Sequence, residues 1–181
     1  RMDRFTQLAV VAAREAVKDS GIDLEKINKE RFGVIVSSGI GGLGTIEEQV
    51  INKHEKGVGR VSPFFVPMSI VNLVAGTIAI EFGAKGTCTS VVTACATGTQ
   101  CIGEAFRNIK YGYSDIIIAG SSEAPITPMG VAGFASMKAL SKSEDPLRAS
   151  IPFDKERHGF VMGEGAGMLI LEDMESALKR G

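Results

Sequence analysis

The sequence predicts an α/β protein in which helices cover a mixed β-sheet in layers. Apolar β-type runs alternate with helical segments along the 181 residues, which is the pattern of a layered α/β fold. Hydrophobic residues make up 44% of the chain and charged ones 23%, as in ordinary globular domains. Glycine is abundant, at 22 residues, so we expect tight turns where strands end.

The first half of the chain contains a strand between helical segments. Its helices show apolar residues at helical spacing and residues typical of helix ends. The predicted elements are a helix over 4–20 with Asp3 as N-cap and Gly21 as stop, a strand over 32–37, a glycine-rich turn over 38–44, a helix capped by Thr45 that runs to about Lys53, and a buried helix over 67–81 that begins with Pro67.

The second half contains β-branched runs that are separated by helices and a polar segment. The predicted elements are a strand over 88–93, a helix over 95–110, a strand over 115–119, a short helix over 129–137, an irregular segment over 138–158, and a hairpin from Phe160 to Leu171 that turns at 163–167 and leads into a last helix.

Charge is balanced overall but unevenly distributed. The chain has 20 Lys and Arg and 21 Asp and Glu, and this balance argues against a nucleic-acid interface. Residues 61–136 carry only seven charges and 61–80 carry none. Pro63, Pro67 and several polar residues interrupt 61–80, whereas a membrane span needs about 20 mostly apolar residues. We therefore expect no membrane span, and a segment buried against a second domain or a partner subunit.

The cysteines exclude two kinds of site. Cys88, Cys95 and Cys101 are an odd set without Cys-x-x-Cys spacing, and His54 and His158 are the only histidines. We therefore expect neither a disulfide framework nor a metal site. We expect the protein to be located in the cytoplasm, a reducing compartment. The start of the chain does not resemble a signal peptide, and we expect it to be a cut from a longer polypeptide.

The glycine-rich turn raises the alternative of dinucleotide binding. Gly39, Gly41 and Gly44 match G-x-G-x-x-G after a strand and before a helix. The region about 20 positions on, where that fingerprint has an acidic residue, reads Val-Ser-Pro-Phe-Phe from position 61. We therefore interpret the glycines as a tight turn where backbones pass closely.

Cys95 is the candidate nucleophile. It lies where a β-branched strand gives way to a predicted helix, among small residues, and a helix N-terminus favours a thiolate. The free N–H groups there can also bind an oxyanion. Helical phase predicts a thiol that points toward the interior, which leaves an ordinary buried packing cysteine as an alternative. Cys88 and Cys101 are expected only to pack.

Five stretches of the chain, in order, resemble the β-ketoacyl-acyl carrier protein synthases, most closely the type II elongating enzymes. The matching stretches are Arg1-Met-Asp-Arg-Phe, 38–44, 62–67, Thr93-Ala-Cys-Ala-Thr-Gly and 154–167. The resemblance implies a thiolase-like fold, a layered αβαβα sandwich of two similar halves that forms a homodimer. Residues 1–181 would be the N-terminal half, with a five-stranded type of sheet lacking its first, central strand and with the C-terminal half absent.

The resemblance also implies the chemistry. Cys95 would take an acyl group from an acyl carrier protein and condense it with malonyl-acyl carrier protein, losing CO2 and elongating a fatty acid by two carbons. Its N–H would be one oxyanion donor, and two histidines and a lysine of the C-terminal half would assist. The enzyme would need no cofactor, because phosphopantetheine arrives on the carrier protein. A polyketide-type synthase, a thiolase and a non-catalytic scaffold or dimerisation fragment are the alternatives.

Further residues carry over from the family's pattern. Ile40 and Phe134 would line the acyl pocket, which Phe65 would reach from the other subunit. Arg60 and Lys138 would contact the acidic carrier protein, since charges at a rim steer encounter. The alternatives are that the three apolar residues only pack in the core and that the two basic residues only keep the protein soluble.

Overall fold

The computed structural model describes residues 1–180, which contain a mixed sheet of four strands. The strands are β1 (Phe32–Ser37), β2 (Cys88–Thr89), β3 (Ile116–Glu123) and β4 (Gly165–Glu172). They lie in the order β2-β1-β3-β4, with β1 parallel to β2 and β3 and with β4 antiparallel to β3. The predicted mixed sheet is confirmed.

Eight α-helices are found among the described residues. They are α1 (Arg4–Asp19), α2 (Leu43–Lys56), α3 (Phe65–Ser69), α4 (Leu73–Phe82), α5 (Thr97–Lys110), α6 (Pro128–Ser136), α7 (Pro146–Ala149) and α8 (Met174–Arg180).

The helices cover both faces of the sheet. Successive strand residues point to opposite faces, so Val34 and Ile118 pack with α1 and α4, while Ile35 and Ile117 pack with α5. All four side chains are fully buried, and burial of one such side chain contributes about 1.5–3 kcal/mol. The central strands β1 and β3 are therefore held from both sides, as their apolar sequences require.

The start of the chain folds as predicted. Strand 32–37 has the expected bounds, and Asp3 caps α1 by accepting a hydrogen bond from the N–H of Phe5 at 3.2 Å.

Thr45 does not cap α2, which begins at Leu43. Its hydroxyl instead donates to Asp3 at 2.6 Å. The prediction was wrong because the carboxylate of a distant residue takes the hydroxyl.

The predicted helix over 67–81 is two helices. Helix α3 ends at Ser69 and α4 begins at Leu73, and Pro67 is the third residue of α3 rather than its first. The break lies where the N–H of Gly42 donates to the carbonyl of Ser69 at 3.1 Å. The turn after β1 therefore occupies a carbonyl that a continuous helix would have used internally.

The predicted hairpin between 160 and 171 is wrong. Strand β4 pairs with β3 along its whole length, from Glu123↔Gly165 to Ile116↔Glu172. Phe160 forms an isolated bridge with Leu140. Long-range pairing with an apolar, buried strand replaces the local pairing that a hairpin would have supplied.

The central position expected for a missing strand is also wrong. Strands β1 and β3 pair directly over six residue pairs, from Phe32↔Ile116 to Ser37↔Ser121. The interior of the sheet therefore has no gap, and a further strand could add only at an edge. Among residues 1–180, no helix combines the length and apolarity needed to cross a membrane.

Candidate active site

The candidate site lies beyond the carboxyl ends of the parallel strands, where open α/β sheets commonly bind ligands. Strand β1 leads into the glycine-rich turn, β2 leads to Cys95, and β3 ends at Glu123. The strand predicted over 88–93 stops at Thr89, and the hydroxyl of Ser90 donates to the carbonyl of Val36 at 2.6 Å. The chain then turns toward the start of α5.

Cys95 lies in a 3-10 turn, Ala94–Ala96, directly before α5. The predicted helix start at residue 95 is therefore two residues early. Ala94 adopts the left-handed conformation, with φ of 51°, which residues other than glycine, Asn and Asp rarely adopt. This turn separates the cysteine from the regular helix.

The thiol of Cys95 is exposed, so its predicted interior orientation is wrong. The prediction extended the helical phase of α5 back to residue 95, whereas that phase begins at Thr97. Cys101 and Ala105 occupy the buried face instead. The alternative of a buried packing cysteine therefore describes Cys101 and not Cys95.

The other two cysteines differ in burial. Cys101 is fully buried, with its sulfur 3.7 Å from the carbonyl oxygen of Val91, and burial raises the pKa of its thiol. Cys88, the first residue of β2, is exposed rather than packed, because β2 pairs on one side only.

Cys95 opens onto a cavity of about 620 Å³ that is mostly apolar. Ile40 and Phe134, two of the predicted pocket residues, line this cavity together with the cysteine. Phe134 is held edge-to-face against Phe160, with ring centroids 5.2 Å apart. The structure therefore brings together three of the six residues that the sequence analysis selected.

The remaining selected residues do not line the cavity. Phe65 is half-buried in α3. Arg60 is exposed and borders a separate shallow cavity together with Arg1 and Lys56. Lys138 is exposed just after α6 and has φ of 56°. These three side chains lie on different elements, outside the site around Cys95.

Glu123 is a site residue that the sequence analysis missed. Strand β3 runs four residues beyond its predicted end and places this carboxylate in the cavity wall. It accepts hydrogen bonds from the N–H groups of Gly39, at 3.0 Å, and Ile40, at 3.2 Å, and from the hydroxyl of Ser38. A lone acid at the end of an apolar strand, in a segment poor in charge, was the signal that could have identified it.

The same contacts explain why the glycine-rich turn is not a phosphate cradle. In a dinucleotide site, main-chain N–H groups at this turn point at a bound anion. Here Glu123 supplies that negative charge to Gly39 and Ile40 from within the protein. Gly41 has φ of 78°, and a Cβ on Gly42 would lie 2.3 Å from the carbonyl oxygen of Met68. The interpretation as a close-packed turn fits these contacts.

No group of three or more His, Cys, Asp or Glu side chains within residues 1–180 could hold a metal ion. The two histidines, His54 and His158, are exposed on α2 and in the loop before β4, and neither lines the cavity.

Comparison with known proteins identifies the family. The family model for "Beta-ketoacyl synthase, N-terminal domain" matches residues 1–177. Curated relatives include the 3-oxoacyl-[acyl-carrier-protein] synthase 2 of Synechocystis sp., 51% identical over all of this chain and 44% of the relative. The protein of the same name from Staphylococcus aureus is 53% identical over all of this chain and 45% of the relative. The chain thus spans somewhat under half the length of these relatives.

Solved structures agree with this assignment. One is a "type II PKS acyl-carrier protein in complex with its ketosynthase bound to the hexaketide", with a TM-score of 0.91 and 34% identity over 98% of this chain and 45% of that one. Another is a β-ketoacyl synthase from Burkholderia phymatum, with a TM-score of 0.89 and 31% identity over 99% of this chain and 44% of that one. These likenesses confirm the predicted thiolase-like α/β fold.

Proposed function

Because this chain belongs to the β-ketoacyl synthase family, we propose that it is the nucleophile-bearing, N-terminal part of a 3-oxoacyl-acyl carrier protein synthase of fatty-acid elongation. The observation that carries the proposal is the exposed Cys95 in the wall of an apolar cavity, directly before α5. Relatives of 51–53% identity over the whole chain bear that name.

In the first step, Cys95 takes the acyl group. Its thiolate attacks the carbonyl carbon of an acyl-phosphopantetheine thioester, and the carbonyl oxygen becomes an oxyanion that the main-chain N–H of Cys95 stabilises, with a second N–H donor expected from the C-terminal half. The tetrahedral intermediate then collapses. The carbon–sulfur bond to phosphopantetheine breaks, the carrier's thiolate leaves and takes up the proton that the Cys95 thiol released, and a new thioester remains on Cys95.

In the second step, malonyl-acyl carrier protein enters and loses CO2, and its carbanion attacks the acyl carbon on Cys95. The thioester bond to the cysteine breaks, so the thiolate is regenerated as a 3-oxoacyl chain two carbons longer leaves on the carrier. The histidines and lysine that the family uses to assist decarboxylation are expected in the C-terminal half. The enzyme needs no cofactor of its own, since the carrier protein brings the phosphopantetheine.

The cavity supports the acyl-binding role. Its walls around Cys95 are mostly apolar, and Ile40 and Phe134 both contribute to them. An alkyl chain gains about 0.8 kcal/mol for each CH2 group buried there. Glu123 belongs to the same wall, but its carboxylate is satisfied by the turn after β1.

The partners are proposed from charge and apolar exposure. Arg60 and Lys138 are both exposed and would meet an acidic carrier protein. The segment poor in charge, 61–136, leaves Phe64 and Val66 about half exposed and Ile80 85% exposed. Such a surface is typical of an interface, so we propose a homodimer in which Phe65 of α3 approaches the acyl pocket of the other subunit. We also propose that the protein is located in the cytoplasm, where a reducing environment keeps the thiol of Cys95 free.

A polyketide-type synthase is the second candidate. It is supported by the likeness to the ketosynthase of the solved type II PKS complex, at 34% identity. The curated fatty-acid-type relatives are 51–53% identical, and this difference favours the fatty-acid elongating reaction.

Acyl loading tests the proposal directly. The intact protein is incubated with a long-chain acyl carrier protein thioester, and its mass and cysteine-containing peptides are measured. We expect one acyl increment on Cys95, none in Cys95→Ala, and a normal increment in the matched variant Cys88→Ala, whose cysteine is also exposed. Loading retained by a folded Cys95→Ala variant would contradict the proposal, and a failure of the wild-type protein to load would favour a scaffold role.

A further inference from the structure

The turn that carries Cys95 is conformationally strained. Ala94, the preceding residue, has φ of 51°, where a Cβ atom comes too close to the neighbouring carbonyl oxygen. Backbone of this kind persists only where surrounding contacts hold it, and it is concentrated at functional sites. The contacts that hold Ala94 therefore determine how the thiol is presented.

Thr97 supplies two of these contacts through its side chain. Its hydroxyl accepts a hydrogen bond from the N–H of Thr93 at 3.0 Å and donates one to the carbonyl of Ala94 at 2.7 Å. The hydroxyl of the first residue of α5 thus links the N–H of the residue before Ala94 to the carbonyl of Ala94 itself. Thr97 is only 2% exposed, so water cannot readily replace this hydroxyl.

The glycine-rich turn blocks the alternative positions of the same peptide. A Cβ on Gly39 would lie 3.0 Å from the carbonyl oxygen of Ala94, so the two backbones are already in close contact. The N–H of Thr97 also donates to that oxygen. The carbonyl of Ala94 is therefore held from one side by Thr97 and confined from the other by the turn after β1.

We propose that Thr97 is a positioning residue for the nucleophile: its buried hydroxyl holds Ala94 in the left-handed conformation and so directs the thiol of Cys95 into the cavity. The proposal rests on the function proposed for Cys95. Without the hydroxyl, the N–H of Thr93 loses its partner and Ala94 is free to relax to negative φ. The thiol and the main-chain N–H of Cys95 then no longer meet the same substrate carbonyl.

The test compares variants of Thr97 by the reactivity of individual cysteines. Thr97→Val keeps the shape and removes the hydroxyl, whereas Thr97→Ser keeps the hydroxyl. The matched control is Thr77→Val, because the hydroxyl of Thr77 donates to the carbonyl of Leu73 at 2.7 Å inside α4 and has no contact with the site. Circular dichroism and thermal melting establish that each variant is folded.

Iodoacetamide is the probe, and the rates of alkylation of Cys95 and Cys88 are measured by peptide mass spectrometry between pH 6 and 9. We expect Thr97→Val to slow alkylation and acyl loading at Cys95 by about tenfold, the equivalent of one hydrogen bond. Cys88 should react as in the wild type, Thr77→Val should be unaffected, and Thr97→Ser should restore most of the rate.

If Thr97→Val itself disturbs the packing, the double variant with Ala94→Gly and Thr97→Val provides a second measurement. Glycine adopts positive φ without penalty, so adding Ala94→Gly should restore part of the alkylation rate of Cys95 that Thr97→Val loses. An unchanged rate at Cys95 in Thr97→Val, or equal losses in Thr97→Val and Thr97→Ser, would overturn the positioning role. If wild-type Cys95 is no more reactive than Cys88 and does not load, the proposed function itself fails.

Discussion

The carboxylate of Glu123 accepts a hydrogen bond from the main-chain N–H of Gly39 at 3.0 Å, which ties the end of β3 to the turn after β1. A Cβ on Gly39 would lie 2.7 Å from this carboxylate and 3.0 Å from the carbonyl oxygen of Ala94. Gly39 is therefore enclosed between the acid and the turn that carries Cys95. Gly39 therefore connects Glu123, in the cavity wall, to the turn that carries Cys95.

Replacement of Glu123 by glutamine should destabilise the protein by about 1–3 kcal/mol. Both carboxylate oxygens accept hydrogen bonds, one from Gly39 and the other from Ile40 and Ser38. An amide nitrogen in place of either oxygen would face a donor. The free energy of unfolding in urea measures the effect.

The matched control is Glu81→Gln. Glu81 pairs with Arg14 on the exposed surface, where an ion pair contributes about 0–1 kcal/mol. Equal losses in the two variants would show that the turn does not depend on the Glu123 carboxylate.

Ile40→Phe should shorten the acyl chain that the protein accepts. Ile40 follows Gly39 and lines the cavity with Cys95, so a larger side chain takes volume from the far part of the chain. Acyl carrier proteins of different chain lengths, offered in competition and followed by mass at Cys95, measure the preference. Ile40→Ala makes the side chain smaller and should allow the protein to accept longer acyl chains. An identical chain-length profile in both variants would exclude Ile40 from the pocket.

Elements with strong local signals were predictable. Strand 32–37 and the helix from residue 4 were predicted because apolar periodicity and the Asp3 cap are local properties of the sequence. The helix over 67–81 and the hairpin from 160 were wrong for a different reason. In both, a partner far along the chain, Gly42 in one case and strand β3 in the other, takes the hydrogen bonds that a local element would have used.

The residues of the site also fall into two groups, those that could be predicted from the sequence and those that depend on distant contacts or on backbone conformation. Cys95 was selected because it lies between a strand and a predicted helix, and Ile40 and Phe134 because the resemblance to a known family implies them; the three line one cavity. Glu123 was missed because its partners lie about 84 residues away in the chain. Thr97 lies next to the cysteine, but its role depends on the φ angle of Ala94, which no periodicity reveals.

Two glycine-to-alanine substitutions should shift stability in opposite directions. A Cβ on Gly120 would lie 2.0 Å from the carbonyl oxygen of Gly167 on β4, so Gly120→Ala should destabilise by about 1–3 kcal/mol. A Cβ on Gly103, inside α5, would contact nothing within 4 Å. Gly103→Ala should therefore stabilise by about 0.5–1 kcal/mol. Thermal melting of the two variants measures both effects, and a neutral Gly120→Ala would contradict the close pairing of β3 with β4.

Stability should fall at alkaline pH in part because of Cys101. Burial raises the pKa of this thiol in the folded protein above its ordinary value of 9.0. Between the unfolded and the folded pKa, the folded protein keeps a proton that the unfolded chain has lost. The contribution is therefore fully present below about pH 9 and is lost as pH rises, by at most about 1.4 kcal/mol per pH unit.

Cys101→Ala isolates this contribution. The variant should be less stable at pH 7, because a buried side chain is truncated, and should lose less stability than the wild type between pH 8 and pH 10. Urea unfolding of both proteins under reducing conditions measures the two slopes, and every other titrating group is common to them. Parallel slopes would show that the buried thiol does not contribute to the alkaline loss.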